Sequence, residues 1–148
     1  FHMSRAAAPQ MIARKWGRIV NITTSLDTMC NAGYTPYGPS KAALEAATSG
    51  WAKDLADTGV TVNVLVPGGM ADTNIIPEEA VYQRSDLIRP EVMQDPVVWL
   101  ASDASSEITG QRFIAYYWDE NLPIDERLAK AGAPAAWPQL GRQAIRPA

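Results

Sequence analysis

Two short apolar runs separated by a helical segment constrain the fold of this chain more than any other feature. The first run contains Ile19, Val20 and Ile22, and the second extends from Val60 to Val66. Runs of this length without polar alternation are typical of strands that are buried on both faces of a parallel sheet. Because strands and helices alternate along the chain, the pattern predicts an α/β fold built on a parallel sheet.

Helical segments precede and connect these two strands. Residues 3–15 are rich in helix-favouring residues, and a second helix is predicted to start at Pro39, which suits a first helical turn. The second helix places three apolar side chains on one face at helical spacing: Leu44, Trp51 and Leu55. Gly17 and Gly59 are expected to terminate the two helices, because glycine is favoured just beyond a helix end.

The later part of the chain has weaker patterns. A short helix is predicted over residues 96–101 and a third strand over residues 112–118. From Asp119 onwards the sequence is rich in proline and alanine. We therefore interpret residues 119–148 as a C-terminal extension of the domain formed by residues 1–118.

The composition of the 148-residue chain, with 47% hydrophobic and 20% charged residues, is that of an ordinary globular protein. The net charge of −3 argues against a nucleic-acid partner, and no apolar stretch approaches the roughly 20 residues that span a membrane. The one cysteine, Cys30, fits a reducing compartment, so we expect a cytoplasmic protein. The one histidine, His2, argues against a histidine-based triad and a zinc site, and no metal site is predicted.

Tyr37 and Lys41 are the strongest candidates for catalysis. At positions i and i+4 they share a face of a helix that begins near Tyr37. Free tyrosine has a pKa of about 10, and a neighbouring ammonium group favours the phenolate. Such a tyrosine can exchange a proton with an alcohol or carbonyl oxygen while a hydride moves elsewhere. A hydroxyl donor must also hold the substrate oxygen, and Thr24 and Ser25 follow the first strand.

The hydroxyl cluster, the Tyr-x-x-x-Lys pair and the Val-Pro-Gly end of the second strand occur in a characteristic order and spacing. Together they resemble the catalytic half of the short-chain dehydrogenase/reductase family. The resemblance covers roughly residues 1–118 and includes the segments 97–103 and 108–111. It implies the C-terminal portion of a doubly wound parallel-sheet (Rossmann-type) domain, whose nucleotide-binding half is expected before Phe1.

The resemblance also implies roles for individual residues. The family's catalytic serine precedes its tyrosine by thirteen positions, which is Thr24 here, whereas a one-residue slip in the loop would give that role to Ser25. Tyr37 would exchange the proton, and Lys41 would hold the cofactor ribose and tune Tyr37.

A loop after the second strand resembles the family segment that holds the nicotinamide end of NAD or NADP. Its candidate cofactor-binding residues, besides Tyr37 and Lys41, are Pro67, Gly68, Met70 and Thr73. Thr73 falls six positions after the proline, rather than the usual five. A helix N-cap is the alternative role for this threonine.

These residues predict an NAD(P)-dependent oxidoreductase that acts on a small-molecule alcohol/carbonyl pair. Residues 73–89 would form a substrate lid, and the resemblance implies a homo-oligomer. Two alternatives stay open: a noncatalytic truncated fragment that associates through its helices, or an epimerase or dehydratase with the same fold. We expect the 148-residue chain alone to be inactive, because the glycine-rich phosphate-binding turn of the family does not occur in it.

Overall fold

The computed structural model describes residues 1–76 and 83–140, which form one mixed sheet flanked by helices. The helices are α1 (His2–Ala13), α2 (Leu26–Met29), α3 (Tyr37–Asp54), α4 (Gln94–Leu100) and α5 (Ile124–Ala131). The strands are β1 (Gly17–Ile22), β2 (Val60–Val66), β3 (Gln111–Ile114) and β4 (Gly132–Pro134). Part of the predicted lid, residues 77–82, lies outside the described residues. No helix in the described ranges combines the length and apolar character that crossing a membrane requires.

The strands are ordered β1-β2-β3-β4, which confirms the predicted α/β fold with a parallel sheet. β1 and β3 both pair in parallel with β2, whereas β4 pairs antiparallel with β3. In the β1–β2 register, Gly17 is opposite Val60 and Ile22 is opposite Leu65. β1, β2 and β3 therefore end at the same side of the sheet, which we call the carboxyl edge.

Helices cover both faces of the sheet. On one face, Ile19 and Val62 pack with Met11 of α1 and Ala52 of α3. On the opposite face, Leu65 packs with residues of α4, β3 and α5, which are Leu100, Phe113 and Ala131. The rings of Trp99, Phe113 and Trp118 extend this second cluster. The result is a three-layer α/β/α arrangement, in which helix packing on each face of the sheet removes apolar surface from water.

β2 is the centre of this arrangement, because all seven of its residues are buried. The one amide side chain in it, Asn63, is only 1% exposed. Its Nδ2 donates to the Ile108 carbonyl (2.7 Å), and its Oδ1 accepts from the Gln111 backbone N–H (3.0 Å). Asn63 thereby satisfies the backbone of the turn that leads into β3.

The helix ends differ from the sequence prediction. α1 ends at Ala13 and the left-handed residue after it is Lys15 (φ 53°), whereas Gly17 is the first residue of β1. α3 ends at Asp54, so Gly59 (φ 79°) does not cap it. Gly59 instead enters β2, where a Cβ atom would lie 2.1 Å from the Lys15 carbonyl oxygen. Close approach of two backbones, rather than helix termination, therefore requires this glycine.

The C-terminal part contains two elements that the sequence pattern did not predict. β3 ends at Ile114 and continues as a 3₁₀ turn over Ala115–Tyr117, so it is shorter than predicted. α5 and β4 then return the chain to the sheet, with Phe113 opposite Gly132. Arg127 of α5 stacks on Trp118 at 5.1 Å and donates to the Glu120 carboxylate. These contacts fix α5 against the turn that follows β3.

We predict that Asn63→Ala lowers the free energy of unfolding by about 3 kcal/mol, because two buried backbone groups lose their partner. Thr61→Val is the matched control. Thr61 is in the same strand at 4% exposure, and its hydroxyl has no hydrogen-bond partner among the described residues. This control should stay within about 1 kcal/mol of the parent in urea denaturation. Equal losses in the two variants would contradict the assigned role of Asn63.

Candidate active site

The candidate site lies at the carboxyl edge, where open α/β sheets bind their ligands. Thr24 and Ser25 follow the end of β1, and Pro67 and Gly68 follow the end of β2. β1 and β2 are neighbours in the sheet, so both pairs of residues emerge side by side. Tyr37 begins α3, which packs on both strands.

Tyr37 and Lys41 occupy the first turn of α3. The Lys41 ammonium lies 5.7 Å from the centroid of the Tyr37 ring, within the range of a cation–π interaction. The same ammonium donates a 2.9 Å hydrogen bond to the carbonyl of Ile22, the last residue of β1. Lys41 therefore links the start of α3 to the strand end, while Tyr37 stays 36% exposed and accessible to a ligand.

Gly38 explains how α3 can begin so close to the loop after β1. A Cβ atom on Gly38 would lie 2.1 Å from the Met29 carbonyl oxygen and 2.8 Å from its carbon. Both atoms belong to the backbone of α2 and cannot move independently of it. Any larger residue at this position would push α3, and Tyr37 with it, away from the loop.

The two candidate hydroxyl donors differ in their hydrogen bonds. The Ser25 hydroxyl caps α2, because it accepts from the Thr28 N–H (3.1 Å) and shares a 2.8 Å hydrogen bond with the Thr28 hydroxyl. The Thr24 hydroxyl has no hydrogen-bond partner among the described residues. The Thr24 backbone is nevertheless held, because its carbonyl accepts from Nη2 of Arg112 at 2.8 Å.

The loop after β2 begins with a closely packed Pro-Gly pair. The Pro67 carbonyl accepts a 3.0 Å hydrogen bond from the Tyr116 N–H. Gly68 has a φ of 107°, and a Cβ atom there would lie 2.6 Å from the Tyr116 Cβ and 2.9 Å from Ile114. The loop thus leaves β2 against the end of β3, in a conformation that favours glycine.

The remaining loop residues pair with a later segment. The Met70 carbonyl accepts from the Ile88 N–H, and Ala71 forms a parallel bridge with Ile88. The Thr73 hydroxyl makes only a long, 3.5 Å hydrogen bond to the Ala71 carbonyl. No helix begins at Thr73 within the described residues, so the alternative role as an N-cap is not observed there.

Sequence reasoning missed two buried polar residues of α3, Glu45 and Thr48, which form a polar stripe together with Lys41. The apolar residues were expected to define the buried face, yet Glu45 and Thr48 are both 0% exposed. Glu45 accepts from the Thr23 hydroxyl (2.7 Å) and Thr48 accepts from Asn21 Nδ2 (2.8 Å). Their spacing after Lys41 is the signal that could have revealed them, because residues at i, i+4 and i+7 share one helix face.

The fold and these features define a Rossmann-type α/β protein with polar groups gathered at the carboxyl edge. A family model described as enoyl-(acyl carrier protein) reductase matches residues 1–115. The 3-oxoacyl-[acyl-carrier-protein] reductase of Thermotoga maritima is 36% identical over 119 residues, covering 75% of this chain and 48% of that protein. The corresponding reductase of Synechocystis is 38% identical over 119 residues, with 76% and 48% coverage.

Solved structures of nicotinamide-dependent reductases and dehydrogenases also match this chain. A 3-oxoacyl (acyl-carrier-protein) reductase from Agrobacterium tumefaciens with NADP bound matches with a TM-score of 0.65 and 31% identity, over 76% of this chain and 48% of that one. A gluconate 5-dehydrogenase from Burkholderia cenocepacia in complex with NADP and tartrate matches with a TM-score of 0.63 and 28% identity, over 75% and 48%.

The chain belongs to the short-chain dehydrogenase/reductase family, a family of oxidoreductases that use NAD or NADP. This confirms the resemblance that the sequence motifs indicated. The chain spans about half the length of the curated relatives it matches.

We predict that Gly38→Ala destabilises the protein by about 1–3 kcal/mol, the usual effect of overpacking. Gly50→Ala is the matched control, because Gly50 is in the same helix and a Cβ atom there would meet nothing within 4 Å. The control should raise the free energy of unfolding by about 0.5–1 kcal/mol, the normal gain of alanine over glycine in a helix. Denaturant unfolding of both variants measures the two effects, and a stabilising Gly38→Ala would contradict the close contact with Met29.

Proposed function

We propose that this chain provides the catalytic residues of an NAD(P)-dependent oxidoreductase acting on a small-molecule alcohol/carbonyl pair. The observation that carries the proposal is the position of the Lys41 ammonium, bonded to the Ile22 carbonyl and adjacent to the Tyr37 ring. This arrangement places a fixed positive charge beside an exposed phenol at the edge where the sheet binds ligands.

Tyr37 is the proposed proton donor and acceptor. In this role the Tyr37 hydroxyl gives its proton to a carbonyl oxygen or takes one from an alcohol, with the Lys41 charge 5.7 Å from the centroid of its ring. In the reduction direction, the carbonyl carbon gains the hydride, its oxygen gains the Tyr37 proton, and the phenolate regains a proton from water. The 36% exposure of Tyr37 allows that last transfer.

Thr24 is the proposed hydroxyl donor to the substrate oxygen. Its spacing before Tyr37 favours it, and so does the absence of a hydrogen-bond partner for its hydroxyl among the described residues. The Ser25 hydroxyl is already occupied at the N-terminus of α2. A donor aimed at the developing negative charge on the substrate oxygen stabilises the transition state.

The donor groups fit the nicotinamide-ribose end of NAD or NADP. An ammonium group has three N–H donors, and Lys41 uses one on the Ile22 carbonyl, which leaves two for ribose hydroxyls. The backbone of Pro67, Gly68 and Met70 and the weakly bonded hydroxyl of Thr73 are proposed to contact the carboxamide. The chemistry that the nicotinamide supplies when bound is transfer of a hydride.

The substrate is proposed to have an apolar part. A cleft of about 540 Å³ opens beside Gly68 and is lined by Leu87, Ile88, Val92, Tyr116 and Tyr117. Asp86 and Arg89 add polar groups to the same lining. A lining that combines apolar side chains with a few polar groups is typical of small-molecule sites.

Replacing Tyr37 with phenylalanine in the complete natural protein is predicted to reduce kcat by about 10²–10⁴-fold, because the proton donor is lost. Tyr34→Phe is the control, since the Tyr34 ring packs edge-on against Tyr37 with centroids 6.3 Å apart. The control should keep kcat within about 3-fold of the parent. NADPH- or NADH-coupled reduction of a carbonyl series provides the measurement, and an active Tyr37→Phe would refute the proposed role.

The same assay with the parent also separates the alternative functions. Epimerisation or dehydration of an added substrate without net oxidation would favour an epimerase or a dehydratase. Stable oligomers of the 148-residue chain with no affinity for a nicotinamide cofactor would favour a noncatalytic fragment.

Thr24→Val and Ser25→Ala are predicted to separate the two hydroxyls. Thr24→Val should lower kcat by about 10²–10³-fold with little change in stability, because it removes a donor and preserves the side-chain shape. Ser25→Ala should instead lower the free energy of unfolding by about 1 kcal/mol through the lost cap, and keep kcat within a few-fold. The reverse pattern of kcat values would assign the donor role to Ser25.

A further inference from the structure

The segment that carries Thr24 is held by side chains that have no part in the proposed proton and hydride transfers. Glu45 of α3 is 0% exposed, and its carboxylate accepts a 2.7 Å hydrogen bond from the Thr23 hydroxyl. Arg112 of β3 approaches from the other side of this carboxylate, with a side chain that is 14% exposed. Burying two charges in this way costs desolvation free energy, which is offset only if both charges are paired.

The contact between the two charges is not directional. Nε of Arg112 lies 3.1 Å from Oε1 of Glu45, yet neither atom has the geometry of a hydrogen bond. The directional bond of Arg112 goes elsewhere, because its Nη2 donates to the Thr24 carbonyl at 2.8 Å. Glu45 therefore holds the charge of Arg112 in place, and Arg112 holds the backbone of Thr24.

The polar stripe secures the residues just before Thr24 in the same way. Lys41 donates to the Ile22 carbonyl (2.9 Å), and Thr48 accepts from the Asn21 side chain (2.8 Å). With Glu45 on Thr23 and Arg112 on Thr24, four consecutive residues of this segment each have a side-chain partner. The partners come from α3, which also carries Tyr37, and from β3, which carries Arg112.

We propose that Glu45 and Arg112 are positioning residues, which set the location of the Thr24 hydroxyl relative to Tyr37. The inference rests on the proposed function, because it assigns a purpose to the pair only if Thr24 contacts the substrate oxygen. Displacing a group by about 1 Å from its reactive position can reduce a rate about 10²-fold. Contacts that hold the segment around Thr24 in place therefore help to maintain the rate. The pair acts through Thr24 and touches no reacting atom.

Two variants of the complete natural protein isolate the bond to Thr24. Glu45→Gln keeps an acceptor for the Thr23 hydroxyl and leaves Arg112 on the Thr24 carbonyl. Glu45→Gln/Arg112→Met then removes that bond, while methionine fills the space without leaving an unpaired charge. We expect Glu45→Gln to lose about 3–10-fold in kcat, because the Arg112 charge loses its partner, and the double variant to lose about 10–100-fold in kcat with KM changed less than about 3-fold.

Arg18→Met is the matched control for losing a buried arginine. The Arg18 side chain is 4% exposed and bonds the carbonyls of Gly17, Gly59 and Ser102 at the opposite edge of the sheet. Assayed well below its own unfolding temperature, this control should keep the kcat of the parent. The positioning role is overturned if the double variant also keeps the kcat of the parent. It is overturned as well if the double variant and Arg18→Met both lose kcat in parallel with their loss of stability.

Amide hydrogen exchange gives a readout that does not depend on turnover. Loss of the Arg112 bond should accelerate exchange about 10-fold or more at residues 24–29 and leave β2 unchanged, relative to Glu45→Gln. If the parent has no oxidoreductase activity, the proposed function fails, and this local acceleration still shows that Arg112 holds the segment.

Should the double variant fail to fold, Thr23→Val provides a milder test through the lost bond to Glu45, with an expected kcat loss of about 3–10-fold. Unchanged kcat and unchanged exchange in Thr23→Val would then overturn the proposal.

Discussion

The contact between α3 and the end of β1 is the interaction on which the candidate site depends. Its polar stripe, Lys41, Glu45 and Thr48, bonds to three consecutive residues of the strand end. Apolar packing alone would hold the helix on the sheet but would tolerate small shifts along it, because dispersion contacts are not directional. Hydrogen bonds to specific atoms at the end of β1 fix the helix in one position, and Tyr37 is thereby placed beside the loop that carries Thr24.

The core supplies the rigid frame for this contact. β2 is buried along its whole length between two helical layers, and its neighbours β1 and β3 deliver Thr24 and Arg112 to the same region. Close backbone contact at Gly38 allows α3 to begin immediately beside α2. The site is therefore assembled from elements that are far apart in the sequence, which is the usual way in which parallel α/β sheets create a ligand site at their carboxyl ends.

The sequence predicted those parts of the structure that have strong local patterns. The apolar runs identified β1 and β2, and the order of hydroxyl cluster, Tyr-x-x-x-Lys and Pro-Gly identified the family. The Glu45–Arg112 pair could not be predicted, because nothing local links a helical glutamate to an arginine of a later strand. β4 was missed because three residues that include Gly132 and Pro134 carry no strand signal. The individual site roles and the homo-oligomer remain predictions.

A crystal structure of the complete natural protein with NADP and a carbonyl-containing inhibitor would show whether Thr24, Tyr37 and Lys41 bind the ligands as proposed. We expect the hydroxyls of Thr24 and Tyr37 both to lie within hydrogen-bond distance of the inhibitor's carbonyl oxygen, and the Lys41 ammonium to contact the ribose while it keeps its bond to the Ile22 carbonyl. An inhibitor oxygen bound away from Tyr37, or a cofactor whose ribose does not contact Lys41, would contradict the proposed function.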